Sequence, residues 1–357
     1  MKLITIIGAR PQFIKAAIVS KSLQDTTIKE VIIHSGQHYD KYMSDIFFSE
    51  MEIIDPRYKL NINQLNQGSM TGRMIEHIEK ILLDESPDYI MVYGDTNTTL
   101  AGALSARKLN IGVIHVEAGL RSFNMEMPEE INRILTDRMS EILFCPTTNA
   151  LKNLKREGYE NFNTRIIMCG DVMEDAATFF SDISERYSNI IQETNLNNSE
   201  YILCTIHRAE NTDNPVRLKQ LVNALNYLAE DYEIILPLHP RTKAKLELEK
   251  LQLNIRIIEP VGYLDMVSLL KNCSIVMTDS GGLQKEAYFF NKYCLTLRDE
   301  TEWVELVDNG FNYLVGTDQG EIIKRLRALL SQDYNKTVQL YGGGEAAIKI
   351  VETLESL

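Results

Sequence analysis

Short runs of apolar, β-favouring residues alternate with longer segments of helical spacing along nearly the whole chain. The runs at 2–7, 30–34, 89–93, 112–116, 142–145 and 165–169 predict six strands before residue 170. Those at 201–206, 233–237, 255–258, 274–277 and 293–297 predict five after residue 200. Between them the period is helical, most clearly over 74–84, where Met74, Ile75, Ile78, Ile81 and Leu82 share one face. Strands that are apolar on both sides and separated by helices predict parallel sheets covered on both faces. The polar stretch 181–200 reads as an insert or loop between the two groups. The expectation is an α/β chain of two Rossmann-like domains, residues 1–170 and 171–340, with a terminal segment 341–357.

Composition narrows this picture. At 357 residues the chain exceeds the roughly 250–300 that one hydrophobic core serves, which favours two domains. The 44% hydrophobic and 24% charged content is that of a folded globular protein. With 37 lysines and arginines against 50 aspartates and glutamates, the net charge of −13 argues against a broad nucleic-acid face. It leaves room for a small anion in a locally basic cleft. No apolar run reaches the roughly 18–20 residues of a membrane span, and the N-terminus reads as a strand, not a signal segment. Neither a membrane nor a nucleic acid is expected as a partner. Five cysteines without a CxxC pair read as buried, reduced thiols in a cytoplasmic protein. The first strand is followed by Gly8-Ala9-Arg10-Pro11-Gln12, not GxGxxG, and no Walker lysine motif occurs. Both facts weigh against NAD, FAD and P-loop readings. No histidine or carboxylate cluster has metal spacing, so no metal or cofactor is expected.

In open α/β sheets ligands bind beyond the carboxyl ends of the strands. There the chain places Arg10 and Lys15, Gly36-Gln37-His38, Asp95, Glu117, His207-Arg208, His239-Pro240-Arg241 and Asp279-Ser280-Gly281-Gly282. Ser280, Gly281 and Gly282 open a helix whose backbone N–H groups can cradle phosphate, and Glu286 lies where a carboxylate can accept ribose hydroxyls. A plain strand-to-helix turn explains the same residues equally well. Arg10 and Lys15 flank a helix start and can neutralise phosphate, or be surface charges. Asp95, Glu117 and Glu129 would suit proton transfer by opposed carboxylates. Singly, Asp95 reads as an N-cap, and Glu129 and Glu130 as complements to a helix dipole. His115 lies inside an apolar strand and reads as a core imidazole; His207 and His239 end strands and fit phosphate or general-acid roles.

These residues also carry a family resemblance. Gly8-Ala9-Arg10-Pro11-Gln12-Phe13-Ile14-Lys15, Tyr93-Gly94-Asp95-Thr96-Asn97-Thr98-Thr99 and His115-Val116-Glu117-Ala118-Gly119-Leu120-Arg121 resemble non-hydrolysing UDP-N-acetylglucosamine 2-epimerases. So do Pro128-Glu129-Glu130-Ile131-Asn132-Arg133, His207-Arg208-Ala209-Glu210-Asn211 and Thr278-Asp279-Ser280-Gly281-Gly282-Leu283-Gln284-Lys285-Glu286. The resemblance spans essentially the whole chain in order. It implies a fold of the glycosyltransferase-B type with the ligand between the domains, a last helix crossing back to the first domain, and a homodimer. Where many such epimerases read Arg-Asp-Thr-Thr-Glu-Arg-Pro-Glu, this chain has Arg298-Asp299-Glu300-Thr301-Glu302-Trp303-Val304-Glu305, with Trp303 in place of a nucleotide-contacting arginine. That version is similar to the subgroup acting on UDP-2,3-diacetamido-2,3-dideoxy-glucuronate, with UDP-N-acetylglucosamine as the alternative substrate. Gly36-Gln37-His38-Tyr39-Asp40 departs from the usual Gly-Gln-His-Arg near the place where some members bind an activating second UDP-sugar.

The resemblance further implies anti-elimination of UDP to a glycal and re-addition on the other face. Asp95, Glu117 and Glu129 would share the roles of base, acid and support, with none of the three roles tied to one residue, and Arg10, Lys15 and His207 would stabilise the departing diphosphate. Arg133 would bind substrate, Ser280, Gly281 and Gly282 phosphate, Glu286 the ribose, and Val261 and Met266 the uracil. Rivals are a retaining glycosyltransferase on the same fold, a hydrolysing epimerase and a non-catalytic UDP-sugar sensor.

Overall fold

The computed structural model describes residues 1–37, 55–197, 199–335 and 338–357. His38, Tyr39 and Asp40, which carry the departure noted above, lie outside them. The chain divides into two units, Met1–Ala176 with Leu340–Leu357, and Ala177–Gln339.

The first unit holds a parallel sheet in the order β3-β2-β1-β4-β5-β6-β7. Its strands are β1 (Lys2–Ile7), β2 (Lys29–His34), β3 (Tyr58–Lys59), β4 (Tyr89–Tyr93), β5 (Gly112–Val116), β6 (Ile142–Cys145) and β7 (Arg165–Met168). The second holds β10-β9-β8-β11-β12-β13, built from β8 (Tyr201–Thr205), β9 (Glu233–Pro237), β10 (Arg256–Ile258), β11 (Ile275–Thr278), β12 (Cys294–Thr296) and β13 (Asn312–Leu314). Every pairing is parallel, with Ile7 opposite His34, Tyr93 opposite Val116 and Thr278 opposite Thr205. These are the two Rossmann-like halves that the alternation of strand and helix predicts. All eleven expected strands form. Two more, β3 and β13, are edge strands of two and three residues, too short to show an alternation.

One expectation is corrected. The stretch 181–200 is not an open loop: the helix Val172–Tyr187 runs into it and Ile190–Glu193 adds a further turn. Ile183, Ser184, Ile190 and Leu196 are buried there, so sparse apolar residues at helical spacing suffice to fold a polar segment.

The central strands are apolar because both faces are covered. β1 contributes Ile4 and Ile6 to a core shared with Ile78, Ile90, Val92 and Ala103. β8, β9 and β11 contribute Cys204, Leu236 and Met277 to another, packed by Leu221, Leu225 and Leu326. All five cysteines are buried and unbridged, and burial pushes the Cys273 and Cys294 thiols up to about 12. The C-terminal segment belongs to the first unit: Glu174 accepts from the Gly343 amide (2.7 Å), and Asp175 accepts from Ala346 and Ala347 at the start of the helix Ala346–Glu355. Gly170 must be glycine here, because a Cβ would lie 2.5 Å from the Tyr341 carbonyl. Among the described residues, no helix is long and apolar enough to cross a membrane.

Candidate active site

Strand order reverses between β1 and β4 in the first sheet and between β8 and β11 in the second, so a crevice opens at each carboxyl edge. In the first unit the turns after β1, β4 and β5 meet there. Gln12, absent from the sequence-based candidates, ties two of them together. Its side-chain oxygen accepts from the Gly8 and Ala9 amides (2.8 and 3.0 Å). Its amide nitrogen donates to the Tyr93 carbonyl (2.7 Å) and the Thr99 hydroxyl (2.9 Å). Gly8 is forced, because a Cβ would sit 2.0 Å from the Ser35 hydroxyl.

This clamp sets Asp95 at the end of β4 beside Glu117 at the end of β5. The Lys15 ammonium pairs with the Glu117 carboxylate, and both side chains are nearly buried. Arg133 reaches the Asp95 carboxylate at 2.5 Å and Glu130 at 2.8 Å. Asn132 donates to the Asp95 carbonyl at 2.9 Å. Burial raises the Asp95 carboxyl above its usual range; Glu117 adds to this, and Arg133 and Lys15 offset it only in part. Arg133 stays charged despite burial because Asp95 and Glu130 face it.

Of the two first-turn glutamates, Glu130 is fully buried and accepts the Ser122 and Phe123 amides, a structural task. Glu129 is exposed. Arg10 opens the helix Arg10–Leu23 and is partly exposed. His115 is the core imidazole expected from its strand, bonded to Asp137 and to the Gly94 carbonyl.

In the second unit Asp279 plays the organising part, a role that its place in the strand-end motif did not reveal. Fully buried at the end of β11, it accepts from the backbone amides of His207 and Arg208 and from the Asn211 amide, each at 3.1 Å. The His207 ring lies 3.3 Å from the same carboxylate, and desolvation lowers its pKa against the pull of Asp279. Ser280 caps the helix Gly281–Phe289 by accepting from Leu283. A Cβ at Gly281 would lie 2.2 Å from a carboxylate oxygen of Glu302, so a side chain there would displace that carboxylate. A Cβ at Gly282 would meet only open space. Glu286 is recessed on that helix at 9% exposure. Glu302 bonds Arg298 at 2.8 Å and faces Arg208 at 3.6 Å; burial raises its carboxyl, but the two arginines prevail and hold it below the usual range. Trp303 is buried, donates its indole N–H to the Gly281 carbonyl (2.9 Å), and carries the Lys285 ammonium 4.1 Å above its ring. Val261 and Met266 pack together against one apolar cluster. His239 has a structural use, accepting from the Arg241 amide as the N-cap of the helix Pro240–Leu248.

The family model for UDP-N-acetylglucosamine 2-epimerase matches residues 21–355. The chain belongs to the UDP-N-acetylglucosamine 2-epimerase family. It is 52% identical, over the whole length of both proteins, to the UDP-2,3-diacetamido-2,3-dideoxy-D-glucuronate 2-epimerase of Pseudomonas aeruginosa. To the UDP-N-acetylglucosamine 2-epimerase of Methanocaldococcus jannaschii it is 45% identical over 99% of each chain. The solved structure of the Methanocaldococcus jannaschii enzyme in complex with UDP-GlcNAc and UDP superposes with a TM-score of 0.90, at 45% identity over all of both chains. That of the Neisseria meningitidis enzyme bound to UDP-GlcNAc superposes with 0.89, at 33% identity over all of both chains. The fold is of the glycosyltransferase-B type, and the two parallel sheets are consistent with its two Rossmann-like domains.

The first half of this epimerase thus brings together Lys15, Asp95, Glu117 and Arg133. The second brings together His207, Ser280 and Gly281 around Asp279 and Glu302. Arg133, expected to bind substrate, has two of its nitrogens already engaged by Asp95 and Glu130.

Proposed function

We propose that the chain inverts C2 of UDP-2,3-diacetamido-2,3-dideoxy-D-glucuronate, giving the manno epimer, by eliminating UDP and adding it back. The observation that carries this reading is the pair Asp95 and Glu117 on adjacent strand ends, flanked by Lys15 and Arg133.

The C2 proton has no neighbouring carbonyl, so direct abstraction is slow. Cleavage of the C1–O bond sends its electron pair to UDP and makes C1 electron-poor. A base then takes the C2 proton while the C2–H electrons form the C1=C2 bond. Re-addition reverses each step, with the proton delivered to the opposite face. Two opposed carboxylates meet this need, and a raised one carries protons closer to neutral pH. Asp95 and Glu117 are the proposed carriers, with Glu129 as the supporter and Arg133 holding Asp95. Arg10, Lys15 and His207 offset the charge on departing UDP, a kind of stabilisation worth roughly 3–4 kcal/mol per donor. Ser280, Gly281 and Gly282 hold phosphate, Glu286 the ribose, and Val261 and Met266 the uracil.

The full-length identity to the Pseudomonas aeruginosa enzyme and the tryptophan at Trp303 favour the diacetamido-glucuronate substrate. UDP-N-acetylglucosamine is the second reading, favoured by the relationship to the Methanocaldococcus jannaschii enzyme. The proposed setting is a cytoplasmic homodimer that supplies sugars for a bacterial surface polysaccharide such as O-antigen or capsule. Incubation with each UDP-sugar, followed by NMR at C2, tests the reading. Inversion of the glucuronate in preference to UDP-N-acetylglucosamine is expected, and the reverse preference would move the assignment to the second substrate.

A further inference from the structure

We propose that His115 and Asp137 act as a buried positioning couple that fixes the backbone under both Asp95 and Glu117 from behind the site. This inference rests on the epimerase reading, because it assigns these two carboxylates a common task.

His115 is fully buried in β5, two residues before Glu117. Its Nε2 donates to the Gly94 carbonyl at 2.7 Å, the carbonyl of the peptide whose nitrogen belongs to Asp95. Its Nδ1 faces Asp137 Oδ1 at 2.6 Å. The other oxygen of Asp137 accepts from the Gly119 amide at 3.1 Å and from Arg121 Nη1 at 2.7 Å. One buried carboxylate therefore holds the turn of Glu117 directly and the turn of Asp95 through the imidazole.

The turn that carries Glu117 needs holding. Glu117 has φ 71°, a left-handed conformation that a side-chain-bearing residue adopts only when its surroundings compel it, and Gly119 has φ 79°. The Glu117 and Ala118 amides share the Phe144 carbonyl, so the bond from Gly119 to Asp137 fixes the far end of the turn. The frame behind it is anchored in turn: Arg121 grips Glu157 through two bonds of 2.7 and 2.8 Å and caps the Leu120 carbonyl at 2.7 Å. None of these four side chains is needed for proton transfer itself. Their geometry sets the separation of the two groups that transfer protons.

The test compares wild type with His115→Gln and His115→Ala, following C2 inversion and C2 deuterium uptake in D2O together with thermal midpoints. Glutamine keeps a donor of similar reach for the Gly94 carbonyl; alanine does not. Misplacing a reacting group by about 1 Å costs on the order of 100-fold. The expected result is a kcat lowered about 10-fold in His115→Gln and about 100-fold in His115→Ala, with KM within about threefold and deuterium uptake falling in step. A purely structural role would lower the thermal midpoint while leaving kcat per folded molecule unchanged. That result, or a loss confined to KM, would overturn the inference. If His115→Ala does not fold, His115→Gln decides alone. A wild type that neither inverts C2 nor takes up deuterium would overturn the epimerase reading, and the inference with it. An active wild type beside an equally active His115→Gln would overturn the inference only.

Discussion

Asp95 and Asp137 lie in the same half of the chain and each pairs with an arginine, yet their surroundings push them in opposite directions. Asp137 is fully buried, which alone would raise its carboxyl, but His115 and Arg121 outweigh burial and hold it below the usual range. Asp95 has Arg133, but it also has Glu117 as an anionic neighbour, and burial wins. The structure thus separates a carboxylate built to stay ionised and hold the frame from one whose proton is retained to higher pH. Depth of burial alone would put the higher value at Asp137, whose side chain is fully enclosed, and not at Asp95, whose side chain is 33% exposed. The sign of the surrounding charge decides between them.

Substitution to the neutral isostere should break the comparison most sharply. Asp95→Asn should lower turnover by roughly 100- to 10,000-fold, measured as the rate of C2 inversion. Asp137→Asn removes one partner of a buried ion pair and should cost about 3–5 kcal/mol of stability, read from denaturant unfolding.

The pH dependence sharpens the contrast. Because the folded protein lowers the Asp137 carboxyl, its contribution is present above the ordinary aspartate range and is lost as pH falls through the folded value. For Asp95 the folded value is raised, so the native state binds its proton more tightly and stability is lost as pH rises past the ordinary range. Thermal midpoints against pH should show Asp137→Asn least stable relative to wild type near neutrality, the gap closing in acid. For Asp95→Asn the relative midpoint should instead rise with pH.

Glu129 offers a finer separation. It is exposed and its loss should change stability by no more than about 0.5 kcal/mol. If it supports proton transfer, Glu129→Gln should still slow C2 inversion severalfold; an unchanged rate would remove it from the site. At Trp303→Phe, losing the bond to the Gly281 carbonyl should cost about 1 kcal/mol in thermal or denaturant unfolding.

Much of this was legible in the sequence because it is written locally. Strands such as Lys2–Ile7 and Tyr201–Thr205 are continuous apolar runs, and the strand-end positions of Asp95, Glu117 and His207 follow from where those runs stop. What could not be read depends on distant partners. Gln12 looks like an ordinary first-turn residue until the fold brings Tyr93 to it, 81 positions away. Glu129 and Glu130 are indistinguishable as sequence, yet one is exposed and the other wholly buried. Asp137 sits in Thr136-Asp137-Arg138, which reads as a solvated helix face, and only His115 and Arg121 reveal its place in the core. The edge strands Tyr58–Lys59 and Asn312–Leu314 are fixed by pairing to a neighbour and carry no period of their own.

The central claim is that proton transfer at C2 accompanies reversible loss of UDP. It is tested most directly by incubating the protein with UDP-2,3-diacetamido-2,3-dideoxy-D-glucuronate in D2O and following C2 by NMR. The account predicts an equilibrium mixture of the two epimers with deuterium at C2 in both and no net release of free sugar. Inversion without deuterium, or irreversible release of UDP and free sugar, would contradict it.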